Sequence, residues 1–280
     1  MPHSASPPET PRIIYDLGAN NGDDIPYYLL KADKVVAVEA NPALAAGIRE
    51  RFAAELASGR LAVENCVLVE RGRGTSVPFH LHRRRHILSR FAPPAPQERD
   101  DFETVELPAL DTSTLLARHG APWYVKIDVE GYDQVILREL FECGVRPPFV
   151  SAESHDIEVF ALLVAMGQYR AFNLVDGETV PTRYRSHPIA TRTGSVDYSF
   201  PPHSAGPFGT DIDRPWLAPA EFATLLALVG MGWKDIHATS ELEPDPTFKP
   251  SPEGYLRERL ITRLTPRPLR RFFGPSLRRY

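Results

Sequence analysis

Apolar residues are distributed along the chain in two alternating patterns. Short, mainly apolar runs with no internal breaker, such as Ile13 to Leu17, Val35 to Val38 and Trp123 to Ile127, suit strands buried on both faces of a parallel sheet. Between them lie stretches of helical period. Asn41 as cap and Pro42 at the first position open a helix whose buried stripe is Leu44, Ile48, Phe52 and Leu56. Tyr132, Val135, Ile136 and Leu140 share one helical face, as do Phe222, Leu225, Leu226 and Val229 after Pro219. The spacing predicts strands at 13–17, 34–39, 61–67, 77–82, 103–107, 123–128, 148–153 and 169–175. Helices are expected near 24–31, from Asp111 to Arg118, and at 157–167. Residues 177–216, rich in Pro, Gly, His and Arg, show no clear period and read as a long loop or lid. Such alternation of strand and helix belongs to an α/β fold.

The ends of these strands carry the chemistry. The first runs into Asp16-Leu17-Gly18-Ala19-Asn20-Asn21-Gly22, where glycines at positions 18 and 22 permit a sharp turn and close approach to a ligand. The second ends in Glu39, placed to take both hydroxyls of a ribose at the carboxyl edge of a parallel sheet. A dinucleotide site has G-x-G-x-x-G, with its pyrophosphate on a helix N-terminus. Here the pattern is G-x-x-x-G, with acids at 16, 23 and 24 that repel a pyrophosphate and favour a cation. S-adenosylmethionine, with its ammonium and sulfonium, fits better than NAD. Further strands end in Asp128-Val129-Glu130-Gly131 and in Glu153-Ser154-His155-Asp156, also where open α/β sheets place ligands.

In this order, D-L-G-A-N-N-G, V-A-V-E-A-N-P and K-I-D-V-E-G resemble the motifs of the FkbM-type S-adenosylmethionine-dependent methyltransferases of class I. The likeness covers roughly residues 12–176. It implies a Rossmann-like fold: a mostly parallel seven-stranded sheet with helices on both faces. It also implies that Asp16, Gly18, Asn20 and Gly22 line the methionine end of the cofactor. Glu39, with Ala40 and Asn41 beside it, would hold the ribose; Asn65, Cys66 and Val67 would lie by the adenine; Asp128 would face the methyl group and acceptor. The chain departs from the family pattern at Asp23-Asp24-Ile25-Pro26 and, from about residue 177, offers no motif that names the acceptor.

Composition adds bounds. The chain has 280 residues, 42% hydrophobic and 24% charged, with two cysteines, so neither a disulfide framework nor a zinc site is expected. No stretch has the length of a membrane span, and the start lacks a basic-then-apolar leader, so the cytoplasm is the expected compartment. The expected organisation is an arm at 1–11, a methyltransferase domain at 12–255 and a basic helix and tail at 256–280. The domain divides into a cofactor core (12–176) and a lid or acceptor region (177–216). Of the formal net charge of −4, the last 25 residues carry about +7, from eight arginines against Glu258. That tail suits either an anionic surface or docking on the acidic body or a second subunit.

The expected reaction is transfer of a methyl group to a hydroxyl of a small molecule, a secondary metabolite or a sugar or glycolipid by resemblance. An alcohol must lose its proton to a general base or be acidified by a metal. His155 or His203 can serve as base; alternatively Asp128 and Glu153, with Asp156 or Glu130, can hold Mg²⁺. Glu130, Glu153 and Trp216 are the candidate acceptor contacts, Trp216 by stacking. The spacing of His80 and His82 is one that metals use, but no acid or cysteine nearby completes a site, and Arg83 to Arg85 read as a solvated edge or an anion contact. An RNA or other anionic-substrate methyltransferase, and a non-catalytic cofactor-binding protein, are the alternatives.

Overall fold

The structure, a computed structural model, describes residues 10–253. The expected basic tail and nearly all of the expected arm lie outside them. In chain order the elements are β1 (Ile13–Leu17), α1 (Ile25–Lys31), β2 (Lys34–Val38), α2 (Pro42–Arg51), α3 (Ala53–Ala57) and β3 (Leu61–Glu64). Then come β4 (Val67–Val69), β5 (Ser76–His82), β6 (Phe102–Asp111), α4 (Thr112–His119), β7 (Tyr124–Ile127) and α5 (Asp133–Glu142). The chain continues through β8 (Phe149–Ser154), α6 (Ile157–Ala165), β9 (Ala171–Asp176) and α7 (Val180–Arg183). It closes with β10 (His187–Ala190), β11 (Ser195–Tyr198), α8 (Pro219–Val229) and β12 (Gly232–Thr239).

Seven strands form the central sheet in the order β3-β2-β1-β7-β8-β12-β9. The first five pair in parallel. β12 slots between β8 and β9 and runs against both. The sheet is therefore mixed, which amends the expectation of a mostly parallel one. The pattern of Gly232 to Thr239 hides this strand, because Asp235 and His237 are buried polar residues inside it. The stretch expected as one strand at 61–67 is broken at Asn65-Cys66: β3 stays in the main sheet, while β4 joins β6 and β5 in a separate three-stranded sheet. Asn65 turns the corner, its amide donating to the carbonyls of Glu39 and Ala40 at 2.8 and 2.9 Å.

One face of the sheet is covered by helices. Leu137, Leu140 and Phe141 of α5, Leu162 and Leu163 of α6 and Phe222 and Leu226 of α8 pack with Tyr15, Val125, Val150 and Ile236. Apolar burial of this kind, at roughly 25 cal/mol per Å², is the main force holding the layers together. The other face is covered partly by α1 and partly by the segment 177–216. Tyr184, Ile189, Phe200, Phe208, Ile212 and Trp216 join Ile14, Tyr27, Tyr28, Tyr124 and Phe149 in one cluster, with Phe208 stacked on Tyr124 at 3.8 Å between ring centroids. Much of this segment is thus a core layer, while His203 within it lines the cavity described below. A buried clasp fastens it: Asp211 accepts hydrogen bonds from Lys31 Nζ at 2.6 Å, the Tyr27 hydroxyl at 2.7 Å and the Ala190 N–H at 2.9 Å. Trp216, 8% exposed, belongs to this layer and does not line the cavity described below.

Candidate active site

A cavity of about 500 Å³ opens at the carboxyl ends of the parallel strands. Gly18 (φ +88°) begins its floor, and a Cβ there would lie 1.8 Å from the Asp128 carbonyl oxygen. Glycine is therefore required twice over, by conformation and by the close crossing of the β1 turn over the end of β7. Gly22 (φ +77°) plays a different part. Its missing Cβ leaves room for Ile25, Ile48 and Phe52, so it shapes helix packing and does not reach the cavity wall.

Glu39 ends β2 with its side chain turned back under the glycine turn. One oxygen accepts the Asn20 N–H at 2.8 Å and the other the Asn41 N–H at 2.7 Å. Burial raises its pKa to about 7 against the lowering effect of those two N–H groups. Each oxygen keeps further acceptor capacity beyond that bond, and Glu39 lines the cavity together with Gly18, Asn20, Ala40, Cys66 and Val67. Asn41 itself is the N-cap of α2, accepting the Ala43 N–H at 3.0 Å, and does not line the cavity.

Below the floor lies a buried charge cluster. Lys126 Nζ is 3.1 Å from an oxygen of Asp128 and 3.9 Å from one of Asp16. Asp16 is 1% exposed, and neither of its oxygens has a hydrogen-bond partner; desolvation raises its pKa to about 7. It sits under the cavity rather than in its wall. Asp235 is likewise pushed up to about 8 by burial, and Glu130 and Asp133 to about 7.

Beyond Asp128 the wall continues through Glu130, Glu153, His155, His203 and Trp233. Glu153 Oε2 is 3.0 Å from His155 Nε2. Burial first, then the neighbouring carboxylates of Asp128, Asp235, Asp133 and Glu130, raises Glu153 to about 10. His203, with φ +68°, stacks on Trp233 at 5.8 Å. The indole in turn lies on Gly177, where a Cβ would come 2.6 Å from the ring.

A model of the methyltransferase FkbM domain matches residues 16–172, more than half of the chain. The chain belongs to the FkbM methyltransferase domain family. Among solved structures, the methyltransferase FkbM from Methylobacillus flagellatus KT aligns with a TM-score of 0.38 and 14% identity, over 60% of this chain and 40% of that one. The chain thus spans well under two thirds of that protein's length. The C-terminal domain of precorrin-6Y C5,15-methyltransferase from Rhodobacter capsulatus gives a TM-score of 0.37 and 12% identity, over 83% and 81% of the two chains. No curated protein matches the sequence.

The cavity of this FkbM domain holds one group of residues of which sequence reasoning offered only Arg85, as one of two readings of Arg83 to Arg85. Phe79, Arg85, His86, Leu88, Ser89 and Phe91, from β5 and the turn after it, form a wall, joined by Tyr132. The signal was present in His80 to Phe91, an aromatic and basic run, but only the fold shows that it turns toward the strand ends. His80 is tied to Thr104 at 2.9 Å, away from any metal arrangement. Among the described residues no three His, Cys, Asp or Glu side chains are grouped to hold a metal ion. Asp128 is engaged by Lys126 and Glu153 by His155, each through one of its oxygens. No helix of the described residues is long and apolar enough to cross a membrane.

Proposed function

We propose that the chain is an S-adenosylmethionine-dependent O-methyltransferase acting on a hydroxyl of a small molecule. The observation that carries this reading is Glu39, a buried carboxyl group that lines the cavity and whose two oxygens are steadied by backbone N–H groups. Such a group suits the paired hydroxyls of a ribose. Gly18 and Asn20 stand where the methionine end would lie, over the acidic cluster of Asp16 and Asp128, and Cys66 and Val67 offer an apolar wall to the adenine. When bound, the cofactor supplies an electrophilic methyl group on a positively charged sulfur.

The chain's own residues orient the acceptor and take its proton. His155, half-exposed at the cavity, is the general base, and Glu153 is the positioning residue that fixes its ring. A cation in the cavity favours the ionised form of the surrounding carboxyls. Glu153 then accepts from Nε2–H, leaving Nδ1 free to take a proton. His203, stacked on Trp233, forms the far wall of the cavity. Calorimetric titration with S-adenosylhomocysteine tests the cofactor reading. Wild type binds, and Glu39→Gln binds about 10- to 100-fold more weakly, the range for a hydrogen bond to a charged group. Equal affinity in the two proteins overturns it.

A further inference from the structure

The cavity is electrically two-ended. Glu39, Asp128, Glu130 and Glu153 line its inner part, whereas Arg85 and His86 stand exposed at the rim contributed by the turn after β5. That turn is built and not merely solvated. His82 Nδ1 accepts the N–H groups of both Arg84 and Arg85, at 3.2 and 3.1 Å, and Ser89 Oγ accepts the His82 N–H at 3.0 Å. Two of the neighbouring cations have counter-charges, Arg83 at 3.6 Å from Glu103 and Arg90 at 2.7 Å from Glu98, and Arg84 does not line the cavity. Among the described residues, the Arg85 guanidinium has no such partner. Between rim and floor the lining is apolar and largely aromatic, with Phe79, Leu88, Phe91 and Tyr132; Phe91 and Tyr132 meet edge to face at 5.1 Å.

Resting on the methyltransferase reading, we propose that the acceptor is a flat, apolar hydroxyl compound bearing an oxyanion, with Arg85 and His86 receiving the anion at the rim. The guanidinium fork matches carboxylate and phosphate oxygens. The inner part is lined by carboxyl groups and by no lysine or arginine, so it offers the anion no counter-charge and only the neutral end of the molecule enters. That sets the hydroxyl toward Asp128 and His155 and leaves the charged end outside. Rim and floor together thus act as a polarity filter that selects both the acceptor and its direction of entry.

The test is titration of phenol, 4-hydroxybenzoate and 4-hydroxyphenyl phosphate into wild type and Arg85→Gln, each with and without saturating S-adenosylhomocysteine. At least one anionic compound is expected to bind wild type about tenfold more tightly than phenol, as a charge-assisted hydrogen bond allows. That preference should disappear in Arg85→Gln, and it should weaken with rising salt. Which anion wins distinguishes a carboxylate from a phosphate acceptor. Phenol binding as tightly as both anions, or neither anion binding, overturns the proposal. So does a loss of S-adenosylhomocysteine affinity in Arg85→Gln, which would assign the arginine to the cofactor. Failure of wild type to bind S-adenosylhomocysteine counts instead against the cofactor reading, because the runs without it examine the rim directly.

Discussion

His155 Nε2 stands 3.0 Å from Glu153 Oε2, joining a half-exposed imidazole to a carboxyl only 7% exposed. The pair ends β8 at the point where the chain leaves the sheet for α6, so the imidazole is held by a rigid strand. Replacement of His155 by Ala is expected to lower the methyl-transfer rate by about 10²- to 10⁴-fold, the usual contribution of a positioned base. S-adenosylhomocysteine affinity should stay at the wild-type level. Glu153→Gln keeps the ring's neighbour but removes its charge, and should shift the pH–rate profile as well as slow the reaction. A His155→Ala enzyme at full rate would remove this residue from the mechanism.

Gly18 and Gly59 both have positive φ, yet they differ in surroundings. At Gly59 (φ +74°) nothing lies within 4 Å of a built Cβ, so alanine there should cost only about 1–2 kcal/mol, from backbone strain. Alanine at 18 must also push away the Asp128 carbonyl. Denaturant titration should show a clearly larger loss for Gly18→Ala, and the cofactor-site ligand should no longer bind. Equal losses for the two variants would contradict the close crossing of β1 and β7.

Lys31 and Asp211 form an ion pair whose side chains are 6% and 2% exposed. Asp211→Ala leaves Lys31 buried without its counter-charge, and a loss of about 3–5 kcal/mol is expected in urea unfolding. Removing both charges with apolar residues of similar volume should restore much of the stability. Because the clasp holds the 177–216 layer against α1, Asp211→Ala should also make that segment the first site of limited proteolysis.

Stability should fall as the medium becomes alkaline. Asp16, Glu39, Glu130 and Asp133 are raised to about 7 and Asp235 to about 8, mainly by burial, from ordinary values of 3.8 for Asp and 4.5 for Glu. Across that window the folded chain binds more protons than the unfolded one, so the unfolding free energy decreases with rising pH. His237, lowered to about 3 from 6.5 by burial, acts with the opposite sign between those values. The carboxyls outnumber it, and above pH 6.5 they act unopposed. Thermal melts of the unliganded protein should therefore give a lower Tm at pH 8 than at pH 6. A flat or rising profile would mean that these acids are hydrated in the folded state.

Local rules in the sequence captured what depends on neighbours in the chain. The β1 and β2 runs, the Asn41 and Asp111 caps and the position of Glu39 needed only short-range patterns, and the structure has each in place. Features set by distant contacts were not legible. Trp216 looks like a ring on a loop until Tyr27, Phe149 and Phe208 are seen in the same cluster. The strand at Gly232–Thr239 carries buried Asp235 and His237, which break the expected apolar alternation because one faces the Lys126 charge cluster and the other lies fully inside the protein. The aromatic wall from Phe79 to Phe91 is read as an edge strand until the turn after it is seen to fold over the strand ends.

The antiparallel insertion of β12 also governs the order in which the protein can be finished during synthesis. β9 has no pairing with β8 and reaches the sheet only through β12, which leaves the ribosome more than fifty residues later. Until then β8 is an unpaired edge, open to pairing with other chains. The last strand delivers Trp233 to the cavity wall as it closes that edge. A nascent chain halted before residue 232 would therefore lack both a complete sheet and a complete cavity, and competence to bind arrives in the same step as protection from aggregation.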